Sequence, residues 1–170
     1  MKPTLIQLLT ILTLIFSGFT VPSLAKSNDV AQIKALEQSF QDAVRAKDPV
    51  AIIKLYAPGD QLFVFDVVPP RQYAGFDAYK KDWEDTIAMF DGPVTFELTD
   101  LVITTDGHGL AYSHSIQHLT GRMKGADAID VTVRVTDVYK KIGGKWLIVQ
   151  EHASVPVDLE TGKPDLQSKP

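Results

Sequence analysis

Beyond residue 93 the apolar residues of this chain stop recurring at helical steps and begin to alternate. That change of period constrains the fold more than any other feature. Residues 94–105, 109–120, 129–141 and 145–155 each read as a strand. Asp106-Gly107, the stretch 121–128 and Gly143-Gly144 separate them, and connections this short make neighbouring strands antiparallel. Upstream, Asn28 or Asp29 can cap a helix whose apolar face is Val30, Ile33, Leu36, Phe40, Ala43 and Val44. Asp48-Pro49 ends it and starts a second helix, with Ile52, Ile53, Leu55 and Tyr56 inward, which stops at Pro58-Gly59-Asp60. Residues 62–68 read as a short strand that Pro69-Pro70 ends. Asp77 caps a third helix, with Tyr79, Trp83, Ile87 and Phe90 along one side and Asp91-Gly92-Pro93 as its stop. Helices followed by a meander predict an α+β fold, a cone-shaped and strongly curved antiparallel sheet wrapped around N-terminal helices. The open mouth of such a cone is a ligand site.

The 170 residues carry 17 Lys and Arg against 21 Asp and Glu, a formal net charge of −4, which opposes nucleic-acid binding. The absence of cysteine excludes disulfides, thiolate metal sites and thiol nucleophiles. No GxSxG, phosphate loop, GxGxxG or HExxH occurs, so no cofactor and no metal are expected. Met1-Lys2, an apolar run over residues 5–19 and Val21-Pro22-Ser23-Leu24-Ala25 have the layout of a signal peptide, residues 1–25, cleaved after Ala25. The alternative is a membrane anchor, for which the run is short and interrupted by polar residues. The expected product is exported, periplasmic or secreted, with no membrane contact once the signal is removed. It comprises one domain over 26–157 and a polar, loose tail over 158–170.

Tyr56-Ala57, Val64-Phe65-Asp66, Tyr73-Ala74-Gly75-Phe76-Asp77, the run from Val133 to Tyr139, Gly144-Lys145-Trp146 and Glu151-His152-Ala153-Ser154 resemble the nuclear transport factor 2-like superfamily, and in particular its SnoaL-like branch. That branch is related to the ketosteroid isomerases and to the association domain of calmodulin-dependent protein kinase II. The resemblance spans nearly all of 28–156. It implies the cone fold, a homodimer formed through the outer sheet face, and either small-molecule binding or cofactor-independent proton transfer of isomerase or lyase type. Asp66 stands where the isomerases carry their general base. Asp137 stands where they carry the neutral acid that donates a hydrogen bond to an oxyanion. Phe40 stands where they carry an oxyanion tyrosine, and it has no hydroxyl. His152 belongs to the branch's pattern and is a candidate catalytic base or donor.

Strand parity adds an independent reading. Val131, Val133, Val135, Asp137 and Tyr139 share one face of their strand, and Asp130, Thr132, Arg134 and Thr136 share the other. An aspartate among valines is costly when ionised and favours its neutral form. The alternative is an acid paired with a surface cation, and for Asp66 a turn aspartate ahead of Pro69. Arg134 is either an anion-binding group in the cone or a convex-face residue. Only one of Arg134 and Asp137 can face the cavity, and the valines favour Asp137. His114 and His118 share a strand face and could line the pocket, or bind a metal if His152 and Glu151 converged on them. Tyr56, Tyr73 and Trp83 are candidates for the mouth of the pocket. The expected partner is a small apolar or carbonyl-containing molecule.

Overall fold

The computed structural model describes residues 22–167, so positions 1–21 of the expected signal segment 1–25 lie outside the described residues. Helix α1 (Pro22–Arg45) begins upstream of Asn28 and Asp29, which corrects their expected role as caps. Asp29 is instead buried against the sheet, where its Oδ1 accepts from Lys141 Nζ at 2.9 Å and Trp146 Nε1 at 3.3 Å. Asp48 caps α2 (Pro49–Ile53) by accepting from the Ala51 amide, with Pro49 in the first turn. The strand expected over 62–68 is shorter, β1 (Phe63–Phe65), and β2 (Tyr73–Ala74) folds back onto it. Helix α3 (Phe76–Met89) is entered through Gly75 at φ 90, a left-handed conformation that glycine adopts freely; Asp77 sits within the first turn and is not the cap.

No loop separates α3 from β3 (Phe90–Thr105), so the strand begins four residues before the expected start. β4 (Leu110–Met123), β5 (Ala128–Ile142) and β6 (Lys145–Ser154) complete the meander. Strand β4 runs past Gly121, where a loop was expected. A Cβ there would stand 2.8 Å from the Phe90 ring, so glycine lets that ring lie flat on the strand. The sheet order is β2-β1-β6-β5-β4-β3, antiparallel except for the β1–β6 pair. Register shifts between Phe90 and Val94, Thr99 and Val102, and Val138 and Tyr139 bend the long strands. The curved, unclosed sheet wraps α1, whose Ile33, Leu36, Phe40, Ala43 and Val44 are buried. Arg45 ties the end of that helix to β3 by donating to the Phe96 carbonyl at 2.8 Å.

The described part of the tail, up to residue 167, is docked rather than loose. Past Ser154 strand β6 leaves β5, and the freed Thr132 amide donates to the Leu166 carbonyl at 2.7 Å. Asp165 N–H donates to the Pro156 carbonyl, and Val157 bridges to Pro164. Asp158 holds the turn by accepting from the amides of Glu160 and Thr161. The tail is thus a small hairpin laid against the end of β5. Among the described residues no helix is long and apolar enough to cross a membrane.

Candidate functional site

Inside the cone lies a cavity of about 400 Å³. Its wall is mainly apolar: Phe40 and Val44 from α1, Trp83 and Ile87 from α3, Phe96 from β3, and Val131, Val133 and Val135 from β5. Phe40 meets Trp83 and Phe96 edge to face at 5.6 and 5.5 Å, which holds the aromatic wall in place. Pro164 and Leu166 of the tail hairpin also line it, so the tail forms part of the enclosure. Against this apolar background stand Asp66, Asp82, Thr86, Gln117 and Glu151.

Glu151 is the most elaborately held of these. Tyr56 donates to its Oε2 and Tyr79 to its Oε1, each at 2.6 Å. Burial pushes its carboxyl up to about 7; the two tyrosine hydrogen bonds oppose that rise, and the charge of Asp66 adds to it. Burial raises Tyr56 and Tyr79 well above the usual phenol range, so both hydroxyls stay protonated donors. Asp66 follows β1 on the same side as the buried Val64, which pairs with Glu151. Its Oδ1 accepts from the Val67 amide at 2.5 Å, and burial raises its carboxyl with a further push from Asp82. Asp82 accepts from Tyr73 at 2.5 Å and is likewise raised by burial.

Beside Glu151 in the sheet lies a second acidic group. Asp137 is its cross-strand neighbour, and Ser113 is the next residue in that row. Tyr139 donates to Glu37 Oε1 at 2.6 Å, stands 3.4 Å from Asp137 Oδ2, and shares a 2.7 Å hydrogen bond with Ser113. Burial pushes Glu37 up to about 7. It raises Asp137 well above the carboxylate range, and the charges of Glu151 and Glu37 raise it further.

The sequence pattern of the SnoaL-like domain family matches residues 33–158. The chain belongs to this family. Its fold is similar to that of an NTF2-like protein of unknown function from Pseudomonas putida, with 31% identity, 85% of this chain and 98% of that one covered, and a TM-score of 0.75. A candidate calcium/calmodulin-dependent protein kinase II association domain from Xanthomonas campestris shares 23% identity, over 76% of this chain and 86% of that one, with a TM-score of 0.62. A candidate scytalone dehydratase from Novosphingobium aromaticivorans shares 16% identity, over 86% and 99%, with a TM-score of 0.70. The last two likenesses concern the fold alone. Among curated proteins, none matches this sequence.

In this SnoaL-like domain the candidate residues divide between the interior of the cone and the outer face of the sheet. Phe40, Asp66, Trp83 and Glu151 line the cavity. Tyr56 and Tyr73 are buried and act on the cavity through the acids they bond, Glu151 and Asp82. Asp137 faces inward but does not line the cavity, which corrects its expected position as a donor to bound ligand: it stands beside Glu151 and is buried with Tyr139, Glu37 and Ser113.

His114, His118, Arg134 and His152 are corrected as well. All four lie on the outer sheet face, because each sits at the odd step between two inward-facing residues. His152 packs edge to face on Phe65 at 5.5 Å, and His118 bonds Asp130 at 2.9 Å. Convergence of these histidines with the inward-facing Glu151 on one metal is therefore excluded by geometry. Sequence reasoning missed Tyr79, Asp82 and Gln117. Gln117 had a readable signal, since it alternates with Ser113 and Ser115 opposite the histidines. Asp82 and Tyr79 had none, because a helix face does not reveal which of its polar groups meets a sheet.

Proposed function

We propose that this SnoaL-like domain binds a small, largely apolar organic molecule in its cone. We further propose that it moves a proton on that molecule, in a cofactor-independent reaction of isomerase or lyase type. The observation that carries this reading is Glu151, a carboxyl facing an apolar cavity and balanced near neutrality by burial on one side and two tyrosine donors on the other. A group poised near the working pH can both accept and return a proton. In the ionised form Glu151 takes a proton from carbon, and Tyr56 and Tyr79 stabilise the carboxylate. In the neutral form it returns the proton to a second position or to a leaving group. Asp66, raised but nearer the mouth, is the second carboxyl that can exchange protons with bound ligand.

The test is binding of an uncharged apolar phenol, whose hydroxyl can donate to the Glu151 carboxylate, followed by ultraviolet spectroscopy, to the wild type and to Glu151→Gln. The expected result is binding that weakens at least tenfold in the variant. Absence of binding by any apolar phenol or carbonyl compound overturns the reading. Two further proposals stand beside it. The chain pairs with a second copy through its outer sheet face, to be checked by sedimentation. It is exported with loss of residues 1–25, to be checked by the mass of the product recovered outside the cytoplasm.

A further inference from the structure

The cavity is electrically one-sided. Every titratable side chain that lines it is an acid or a phenol: Asp66, Tyr79, Asp82 and Glu151. No lysine, arginine or histidine is among the described residues of its wall. Three carboxyls share this low-dielectric space, and Asp66 disfavours ionisation of Glu151 as Asp82 does that of Asp66. An anionic ligand would add a fourth negative charge there with nothing to offset it, and such a juxtaposition is strongly unfavourable away from water. A cation would relieve all three at once.

A second feature points to a ligand with two polar ends. Gln117 is 8% exposed, lines the cavity, and its side-chain amide bonds to no described residue. The amide opens onto the cavity, and a ligand group that pairs with it gains a hydrogen bond there. Gln117 lies on β4 four residues from Ser113, which shares a cross-strand row with Asp137 and Glu151. Four residues of strand span roughly 13 Å, so Gln117 stands along the cavity wall well away from the row that carries Glu151. Phe40, Trp83 and the β5 valines line the same cavity, and aromatic faces also favour a cation.

We propose that the ligand of this cavity is an organic ammonium with an apolar ring: its charged nitrogen sits against Glu151, Asp66 and Asp82, and a hydroxyl or carbonyl at its other end pairs with Gln117. The proposal rests on the small-molecule reading above and names the class of molecule. It carries a signature of its own. The ammonium stabilises the ionised carboxyls, so binding near neutral pH releases protons to the buffer.

The test compares tyramine with tyrosol, which differ in an ammonium against a hydroxyl, by calorimetry near neutral pH in buffers of different ionisation enthalpy. Tyramine is expected to bind at least tenfold tighter and to release protons. The preference should disappear in an Asp66→Asn, Glu151→Gln double variant. Gln117→Leu should weaken tyramine while leaving phenethylamine, which lacks the phenol, unchanged. If the double variant fails to fold, the wild-type comparison still decides. Tyrosol binding as tightly as tyramine, or tyramine failing to bind, overturns the proposal. Binding of the uncharged phenol probe in that same case leaves the small-molecule reading standing, whereas failure of every probe removes both.

Discussion

Asp137 and Glu151 face each other across β5 and β6, both buried, and the partners that hydrogen-bond to them are tyrosines rather than cations. Two carboxyls so placed cannot both ionise at low cost, and Glu37 lies close enough to add to the repulsion. The interior therefore keeps protons that an unfolded chain would release.

The first consequence is a pH-dependent stability. Glu37 and Glu151 titrate near 7 in the folded protein, against an ordinary value of 4.5, and Asp137 is raised too. Between those limits the folded state binds more protons than the unfolded one, so stability falls as pH rises. The stabilisation is fully present below about 4.5 and is lost on passing through about 7. Thermal melts at pH ~5 and pH ~8 should show a Tm several degrees higher at the acid value. A higher Tm at the alkaline value would mean that these carboxyls have cationic partners.

Asp137→Asn removes one member of the pair without changing its shape. The Tm difference between those two pH values should shrink by about a third or more. A difference as large as in the wild type would show that Asp137 is not coupled to Glu151.

Phe40 is 3% exposed and meets Tyr56, Trp83 and Phe96 edge to face. Phe40→Ala should cost about 3–5 kcal/mol in a urea melt, since it deletes a ring that several neighbours pack against. A loss below about 1 kcal/mol would mean that the helix collapses onto the gap.

The tail hairpin closes one side of the cavity through Pro164 and Leu166. A chain ending at Val157 should retain the fold, because the core residues all precede that point. Its ligand should dissociate about tenfold faster in stopped flow, roughly the 1.4 kcal/mol that loss of a few apolar contacts represents. Unchanged dissociation would show that the tail lies clear of the ligand's path.

His152→Ala should leave ligand affinity within about twofold, because the imidazole lies on the outer face. A tenfold loss by calorimetry would place it at the site after all. The same variant examined by sedimentation tests whether that face joins two copies.

The amino-acid sequence by itself determined the order of the three helices, the first strand and the four-stranded meander, though not the short β2, and it determined the turns at Asp106-Gly107 and Gly143-Gly144 and the partition of β5 into an inward face with Asp137 and an outward face with Arg134. These are local matters: period, turn chemistry and alternation act over a few residues and need no partner. Only the tertiary structure decided which inward-facing acid meets the cavity. Asp137 and Glu151 look alike in parity and share one row, and the difference is what packs over each: Tyr139 and Glu37 of α1 over Asp137, Tyr56 and Tyr79 over Glu151, which keeps its place in the cavity wall. The sites of Tyr56, Tyr79 and Asp82 arise in the same way, since the hydrogen bonds that define them join residues up to 95 positions apart. Tail docking is non-local too. It depends on β6 leaving β5 after Ser154, which frees the Thr132 amide for Leu166. A buried donor or acceptor must find a partner wherever the chain brings one, and that partner is written in no single stretch of sequence.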